Sequence, residues 1–378
     1  MRICYFGTYR KDYSRNVIMI TSLKKAGFEV IECHEPLWGD IEHRVNLVKY
    51  GPSFSFIKDV IRVYSKLFIK FYRLRKSIDL VIVGYPGQFD IFLAWFLARI
   101  TKKPLILDFF MSIYLISKER RLDKRNPLIV SLLRLIEFIG LRLPDMVIQD
   151  TNEYKKWCVV QYKLSSNKIR LVPTSADDIF YKERKRIKFN GNEMTVVYYG
   201  TFIPNHGTTI IIEAANILSH YKQKNINIKF IMIGSGPDLQ LCKDLVKKYQ
   251  LKNVNFIDWM AKEDLIEYIS LADICLGAFG STPQSLMTIH NKIYECLAMG
   301  KPVITGISPA TNETFNNFED IILCQRNSKS LAEAILTLYF NPDLREKLSK
   351  NAQKLFAEKF STSQISNLLF RYINEITK

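Results

Sequence analysis

The chain has 378 residues, 48% apolar and 24% charged, an ordinary globular composition that excludes disordered and coiled-repeat architectures and leaves room for two or three domains. The longest apolar runs, such as 91–98, are about half the ~20 residues of a membrane-spanning helix, and 127–143 is interrupted by Arg134, Glu137 and Arg142. The net charge of +17 is one-sided: residues 1–175 hold 30 Lys+Arg against 16 Asp+Glu, and residues 176–378 hold 24 against 21.

The first strand pattern, 3–6, begins without a charged segment and apolar leader ahead of it, which predicts a cytoplasmic chain. A helix over 15–26 and a strand over 30–33 follow. Between Lys49 and Lys76 stand Lys49, Lys58, Arg62, Lys66, Lys70, Arg73, Arg75 and Lys76 against Asp59 alone, interleaved with Phe54, Phe56, Ile57, Ile61, Tyr64, Phe68, Phe71 and Tyr72. That is a basic amphipathic helix, expected to lie on an anionic membrane surface at the inner face of the cell membrane. The plainer alternative is a core helix with a solvated cationic face. No zinc finger, RNP-type motif or helix-turn-helix accompanies the charge, so no nucleic-acid partner is expected.

Next come a strand at 80–83, a helix at 89–100, a strand at 105–107, helices across 127–141 and a strand at 146–149. Strand–helix alternation of this kind predicts a parallel sheet covered by helices on both faces. Gly7, Thr8 and Tyr9 end the first strand. Asp108 closes the strand 105–107 and is expected to project from its end, where a carboxylate can take a hydroxyl's proton; a turn cap is the alternative. The polar stretch 175–192 reads as a linker.

The same alphabet then restarts: strands at 195–199, 228–233, 254–257, 274–276 and 302–305, with helices at 208–221, 239–249, 262–271 and 291–299 between them. The stretch 343–376 reads as long helices. Two Rossmann-like domains are predicted, 1–175 and 193–357, facing across a cleft, with a last helix of about 358–378 returning to the first domain. The seven cysteines, scattered and without a C-x-x-C pair, read as reduced core residues, and no metal site is expected.

The segment N-K-I-Y-E-C-L-A-M-G-K-P-V-I at 291–304 reads as a short helix entering a strand. Ile293, Cys296 and Leu297 make its buried face, which leaves Lys292 and Glu295 three apart and clear of the core. A cation at a helix N-terminus suits a phosphate, and a carboxylate one turn on suits a ribose diol. A surface ion pair is the alternative, and spacing alone favours it.

With Y-Y-G-T-F-I-P-N-H-G at 198–207, I-M-I-G-S-G-P at 231–237, V-N-F-I-D-W-M at 254–260 and L-A-D-I at 271–274, that block resembles, in order, the nucleotide-sugar domain of glycosyltransferase family 4. The resemblance covers 193–340 and extends more weakly to F-G-T-Y at 6–9, V-G-Y-P-G at 83–87 and L-I-L-D at 105–108. It implies a GT-B fold and retaining, metal-independent hexosyl transfer from a nucleoside-diphosphate sugar, with no cofactor. The acceptor would be lipid-linked or a glycan, as in polysaccharide biosynthesis. It also implies that Glu295 holds the donor ribose and Lys292 faces the diphosphate; His206, in a predicted loop between Asn205 and Gly207, reads equally as a helper at the diphosphate and as a solvated loop histidine. Gly200, Thr201 and Gly207 would pass beneath the diphosphate, Gly234, Ser235 and Gly236 would line the nucleotide pocket, and Asp258 and Trp259 would flank the base. Gly7 and Asp108 would lie on the acceptor side. Thr201 and His206 stand where the family often carries a cationic pair, and Met287 where a first glutamate is usual. An active transferase and a weak or inactive sugar-nucleotide-binding scaffold subunit therefore both remain open.

Overall fold

The computed structural model describes residues 1–37, 54–181, 193–221 and 226–377. Lys49 and most of the 175–192 linker lie outside them. Residues 1–173 and 362–378 form one compact unit and 174–361 a second.

The first unit opens with β1 (Arg2–Gly7), α1 (Ser14–Lys25), β2 (Glu29–His34) and α2 (Phe54–Leu74). There follow β3 (Leu80–Val83), α3 (Asp90–Thr101), β4 (Leu105–Asp108), α4 (Ile113–Glu119), α5 (Leu122–Arg125) and α6 (Pro127–Gly140). β5 (Met146–Gln149), α7 (Asn152–Tyr162) and β6 (Ile169–Leu171) complete its continuous part. The six strands form a parallel sheet in the order β2-β1-β3-β4-β5-β6. β3, β4 and β5 are buried on both faces, which explains their continuous apolar spelling.

The second unit contains β7 (Met194–Tyr199), α8 (Thr208–Ser219), β8 (Ile228–Ile233), α9 (Leu239–Lys248), β9 (Val254–Ile257), α10 (Lys262–Leu271) and β10 (Ile274–Leu276). It continues through α11 (Pro283–Met287), α12 (Asn291–Ala298), β11 (Val303–Gly306), α13 (Pro309–Thr314), β12 (Ile322–Cys324), α14 (Ser328–Phe340) and α15 (Pro342–Leu355). Its parallel sheet runs β12-β11-β10-β7-β8-β9, so the strand order reverses between β7 and β10. Two clusters fill its core, one carrying Val196, Tyr198 and Phe230, the other Val197, Tyr199 and Ile231. Successive β7 residues thus point to opposite faces of the sheet.

The last helix, α16 (Thr362–Thr377), belongs to the first unit. Its Ile365, Leu369 and Ile373, spaced by four, join a core with Ile3, Met19, Leu23 and Phe28. All seven cysteines are buried and unpaired. Among the described residues no helix is long and apolar enough to cross a membrane.

Candidate functional site

In doubly wound sheets, ligands bind beyond the carboxyl ends of strands where the strand order reverses. In the second unit that point lies between β7, which ends at Tyr199, and β10, whose following loop leads through α11 to His290 and Lys292. The loops here are pressed together. A Cβ at Gly234 would stand 2.1 Å from the Gly200 carbonyl oxygen, and one at Gly236 would stand 2.5 Å from that of Phe202. The Phe202 amide donates to the Ser235 carbonyl at 2.8 Å. Gly234 and Gly236 are therefore required first by the backbone of the β7 loop, before any ligand arrives. A Cβ at Gly207 would meet the Gly280 amide nitrogen at 2.5 Å, which ties the β7 loop to the β10 loop.

Lys292 lies in the first turn of α12 and is 5% exposed. Its ammonium sits 3.9 Å from the centre of the Tyr198 ring and has no hydrogen-bond partner among the described residues. A Cβ on Gly200 would stand 3.0 Å from Lys292 Nζ and 3.6 Å from His206 Cε1, so lysine and imidazole converge on the glycine that ends β7. The His206 and His290 rings meet edge to face at 4.8 Å. Burial pushes the Lys292 pKa down to about 7, because a desolvated ammonium is costly to charge, while the nearby Cys296 and Glu295 work against that shift.

His206 departs from the expectation of a cationic helper. It is partly buried, and Tyr198 Oη lies 2.9 Å from its Nδ1. The Tyr198 hydroxyl also lies 3.0 Å from the Thr201 carbonyl, which accepts from it. Burial, then the neighbouring Lys292, hold the His206 pKa well below the usual histidine value, and the same two causes push His290 down to about 3. Both imidazoles are neutral at pH 7, so Lys292 is the one of these three groups that titrates near neutrality. His290 occupies the N-cap position of α12 without a capping hydrogen bond from its side chain.

Glu295, at 7% exposed, also lies inside and not clear of the core. Its Oε2 accepts from the Tyr199 hydroxyl at 2.7 Å, and the Lys292 carbonyl shares that hydroxyl's one proton at 3.1 Å. Burial raises the Glu295 pKa while the Tyr199 hydrogen bond works against that. The surface ion-pair alternative for Lys292 and Glu295 is thus not what forms. Ser235 is exposed, and Asp258 and Trp259 are exposed past the end of the edge strand β9.

In the first unit Asp108 does not project into the open. It is fully buried, and both its oxygens accept from Arg15, at 2.8 and 2.9 Å; Arg15 also donates to the Val172 carbonyl at 2.8 Å. This carboxylate fastens α1 and the end of β6 to β4, and a bidentate pair leaves it no role as an open base. Gly7 likewise faces protein. A Cβ there would stand 2.5 Å from Asp90 Oδ2, which accepts from the Thr8 amide at 2.6 Å, while Asp90 Oδ1 accepts from the Tyr64 hydroxyl at 2.7 Å.

Residues 180–355 match the family described as Glycosyl transferases group 1. The matched stretch makes up most of the second unit. An uncharacterized glycosyltransferase of Methanocaldococcus jannaschii is 26% identical over 216 residues, 56% of each chain. The alpha-D-kanosaminyltransferase of Streptomyces kanamyceticus is 25% identical over 183 residues, 48% of this chain and 45% of that one. The matches thus span about half the length of these curated relatives.

Solved structures extend the likeness to the fold of the whole chain. Anabaena HepE in complex with UDP superposes with a TM-score of 0.71 at 14% identity, covering 99% of both chains. Sucrose-phosphate synthase of Thermosynechococcus elongatus does so with a TM-score of 0.75 at 16% identity, covering 99% of this chain and 98% of that one. The fold is GT-B, two Rossmann-like α/β domains. The residues that match the group 1 family include Gly200, His206, Lys292 and Glu295. Tyr198 and Tyr199, which hold the last three, escaped notice as site residues although they stand in the quoted block; alternation along β7 was the signal that each reaches a different partner.

Proposed function

We propose that this chain is a retaining glycosyltransferase that moves a sugar from a nucleoside diphosphate onto a lipid-linked or glycan acceptor at the cytoplasmic face of an anionic membrane. One observation carries the donor part of the reading. Lys292 is a buried ammonium with no hydrogen-bond partner among the described residues, set against the β7 glycine loop at the switch point of the stretch that matches the group 1 family. A diphosphate supplies the missing counter-charge, with the α12 N-terminus and loop amides as further donors. Glu295, steadied by Tyr199, takes the ribose hydroxyls. The UDP complexes of Anabaena HepE support a uridine nucleotide as the first donor to try.

As the glycosidic bond to the diphosphate breaks, negative charge grows on the leaving phosphate oxygen, and Lys292 opposes it there. Retention is assigned by the resemblance to attack on the face the leaving group vacates, without a protein nucleophile. Neutralisation by Lys292 and amides makes the reaction metal-independent in this reading, so activity survives EDTA; abolition by EDTA with rescue by Mg²⁺ overturns that part.

Titration calorimetry with UDP and UDP-sugars tests the donor site. Glu295→Ala is expected to weaken binding by about 1–3 kcal/mol, the range for lost charge-assisted hydrogen bonds. Unchanged affinity removes Glu295 from the site. A second reading, a donor-binding subunit with little catalysis, is favoured by the neutral His206 and uncharged Thr201 where a cationic pair is usual. Donor hydrolysis by the purified chain, with and without membranes, separates the two.

A further inference from the structure

Helix α6 is built inside out. Its buried positions are Val130, Glu137 and Gly140, while Leu128, Ile129, Leu132, Leu135, Phe138 and Ile139 are exposed. Leu128 is 84% exposed, Leu132 54% and Leu135 52%. The inward glutamate is firmly held: Glu137 accepts from the Ser112 hydroxyl and the Ile113 amide, each at 2.6 Å, and from the Tyr162 hydroxyl. Those bonds fix the rotation of the helix and with it the outward direction of the leucines. Scattered exposed apolar residues are normal; six on one short helix form a patch that marks an interaction surface.

The patch continues onto α3. A Cβ on Gly140 would stand 3.1 Å from Ile91 and 3.9 Å from Phe92, so α6 rests on α3, whose Phe92, Phe96 and Ile100 are exposed at a spacing of four. Beyond α3, an apolar groove of about 480 Å³ lies between Leu93 and the Ile61, Phe68 and Ile69 side of α2. Cations fringe α6. Lys118, Arg120, Arg121, Lys124, Arg125, Arg134 and Arg142 stand within or next to it, against Glu119, Asp123 and the buried Glu137.

We propose that α6, with the exposed face of α3, is the element by which this protein inserts into an anionic lipid bilayer, lying in the boundary between headgroups and acyl chains. The proposal rests on the membrane part of the reading above and not on the donor site. Length favours lying over spanning: fourteen residues make about 21 Å, short of the ~30 Å hydrocarbon core. Apolar outward residues ringed by cations are the pattern of an interfacial helix. A second copy of this chain fits less well, because a two-fold contact sets each fringe beside its own like charges. The 49–76 stripe contributes less than its composition suggests, since Lys70 and Lys66 reach Glu35 at 2.5 and 3.9 Å and Arg62 pairs with Asp59 at 2.7 Å.

The test is sedimentation of the full chain with phosphatidylcholine vesicles containing about one-third phosphatidylglycerol. Wild type is expected to bind, and Leu128→Ser/Leu132→Ser/Leu135→Ser to lose at least about 100-fold in affinity while UDP binding and thermal melting stay unchanged. Lys124→Gln/Arg125→Gln is expected to lose about 10-fold at low salt, less as salt rises. Leu128→Trp provides a readout independent of the triple variant: the emission of the introduced indole shifts to the blue and is quenched by brominated acyl chains. If the triple variant binds as wild type does, or the emission of the Leu128→Trp variant is unmoved by bound vesicles, α6 is not the inserting element and the basic stripe of α2 is left to carry the contact. If wild type ignores anionic vesicles, the membrane reading fails entirely, with UDP binding still standing or falling on its own. If instead wild type is a dimer that the triple variant dissolves, the face belongs to a second copy and the proposal is overturned.

Discussion

At Lys292, burial holds the ammonium's pKa near 7 where lysine ordinarily titrates near 10.5, and stability responds to that gap. Between the two values the unfolded chain binds more protons than the folded one, so the second unit gains stability as pH rises from about 7 to about 10.5. Below that window the cost of the buried charge is fully present. Lys292→Met is therefore expected to raise the stability of the ligand-free protein at pH 6, with the advantage fading toward pH 10, while nucleotide affinity falls. Denaturant unfolding followed by circular dichroism checks the first half, and titration calorimetry the second. UDP binding near pH 8 should also draw in a proton as Lys292 becomes charged, seen as a dependence of binding heat on the buffer's ionisation enthalpy. The N-K-I-Y-E spelling was enough to single out Lys292 and Glu295, but a helical wheel set them clear of the core because charged residues usually are. Tyr198 and Tyr199, some ninety residues earlier, cover them, and no local periodicity reports that. Asp108 was misjudged for the same reason, since Arg15 lies 93 positions away.

Strands and helices were more legible than side-chain partners. The expected strands 80–83, 146–149, 228–233, 254–257 and 274–276 have the observed bounds; three of them, 80–83, 146–149 and 274–276, are buried throughout, and such strands spell apolar runs between turns. β6 and β12, with three residues each, and α7, whose apolar face is short, lacked that contrast. Helix α6 was found, yet its polarity is the reverse of a usual surface helix, which only the contacts of Glu137 disclose. Burial pushes the pKa of Glu137 up to about 7, as it pushes Asp90 to about 6 and Asp150 to about 7. An acid raised on folding binds more protons folded than unfolded between its two values, so the first unit is expected to lose stability as pH rises from about 4.5 to about 7. Glu137→Gln should flatten that slope. Three of the four tryptophans, Trp38, Trp95 and Trp157, lie in residues 1–173, so urea unfolding by intrinsic fluorescence across this range reads it directly.

For the molecule as a whole, each unit has its own sheet and core, and a lesion in one should stay there. Leu369→Ala in α16 is expected to cost the first unit about 2–5 kcal/mol, the range for truncating a buried leucine, while UDP affinity in the second unit is unchanged. Fluorescence-detected unfolding and calorimetry on the same preparation would show the two effects separately; a parallel loss of nucleotide affinity contradicts that independence. The placement of α16 also sets an order of events on the ribosome. Its Ile365, Leu369 and Ile373 are translated only after the 188 residues of the second unit, about 10–40 s after residue 173 at ordinary elongation rates. Through that interval the first unit lacks the side of its core that α16 supplies, so a unit begun before the second closes only after it. A ribosome that halts before codon 362 releases a finished second unit tethered to a first unit with an open hydrophobic flank, a product for chaperones to hold and proteases to clear.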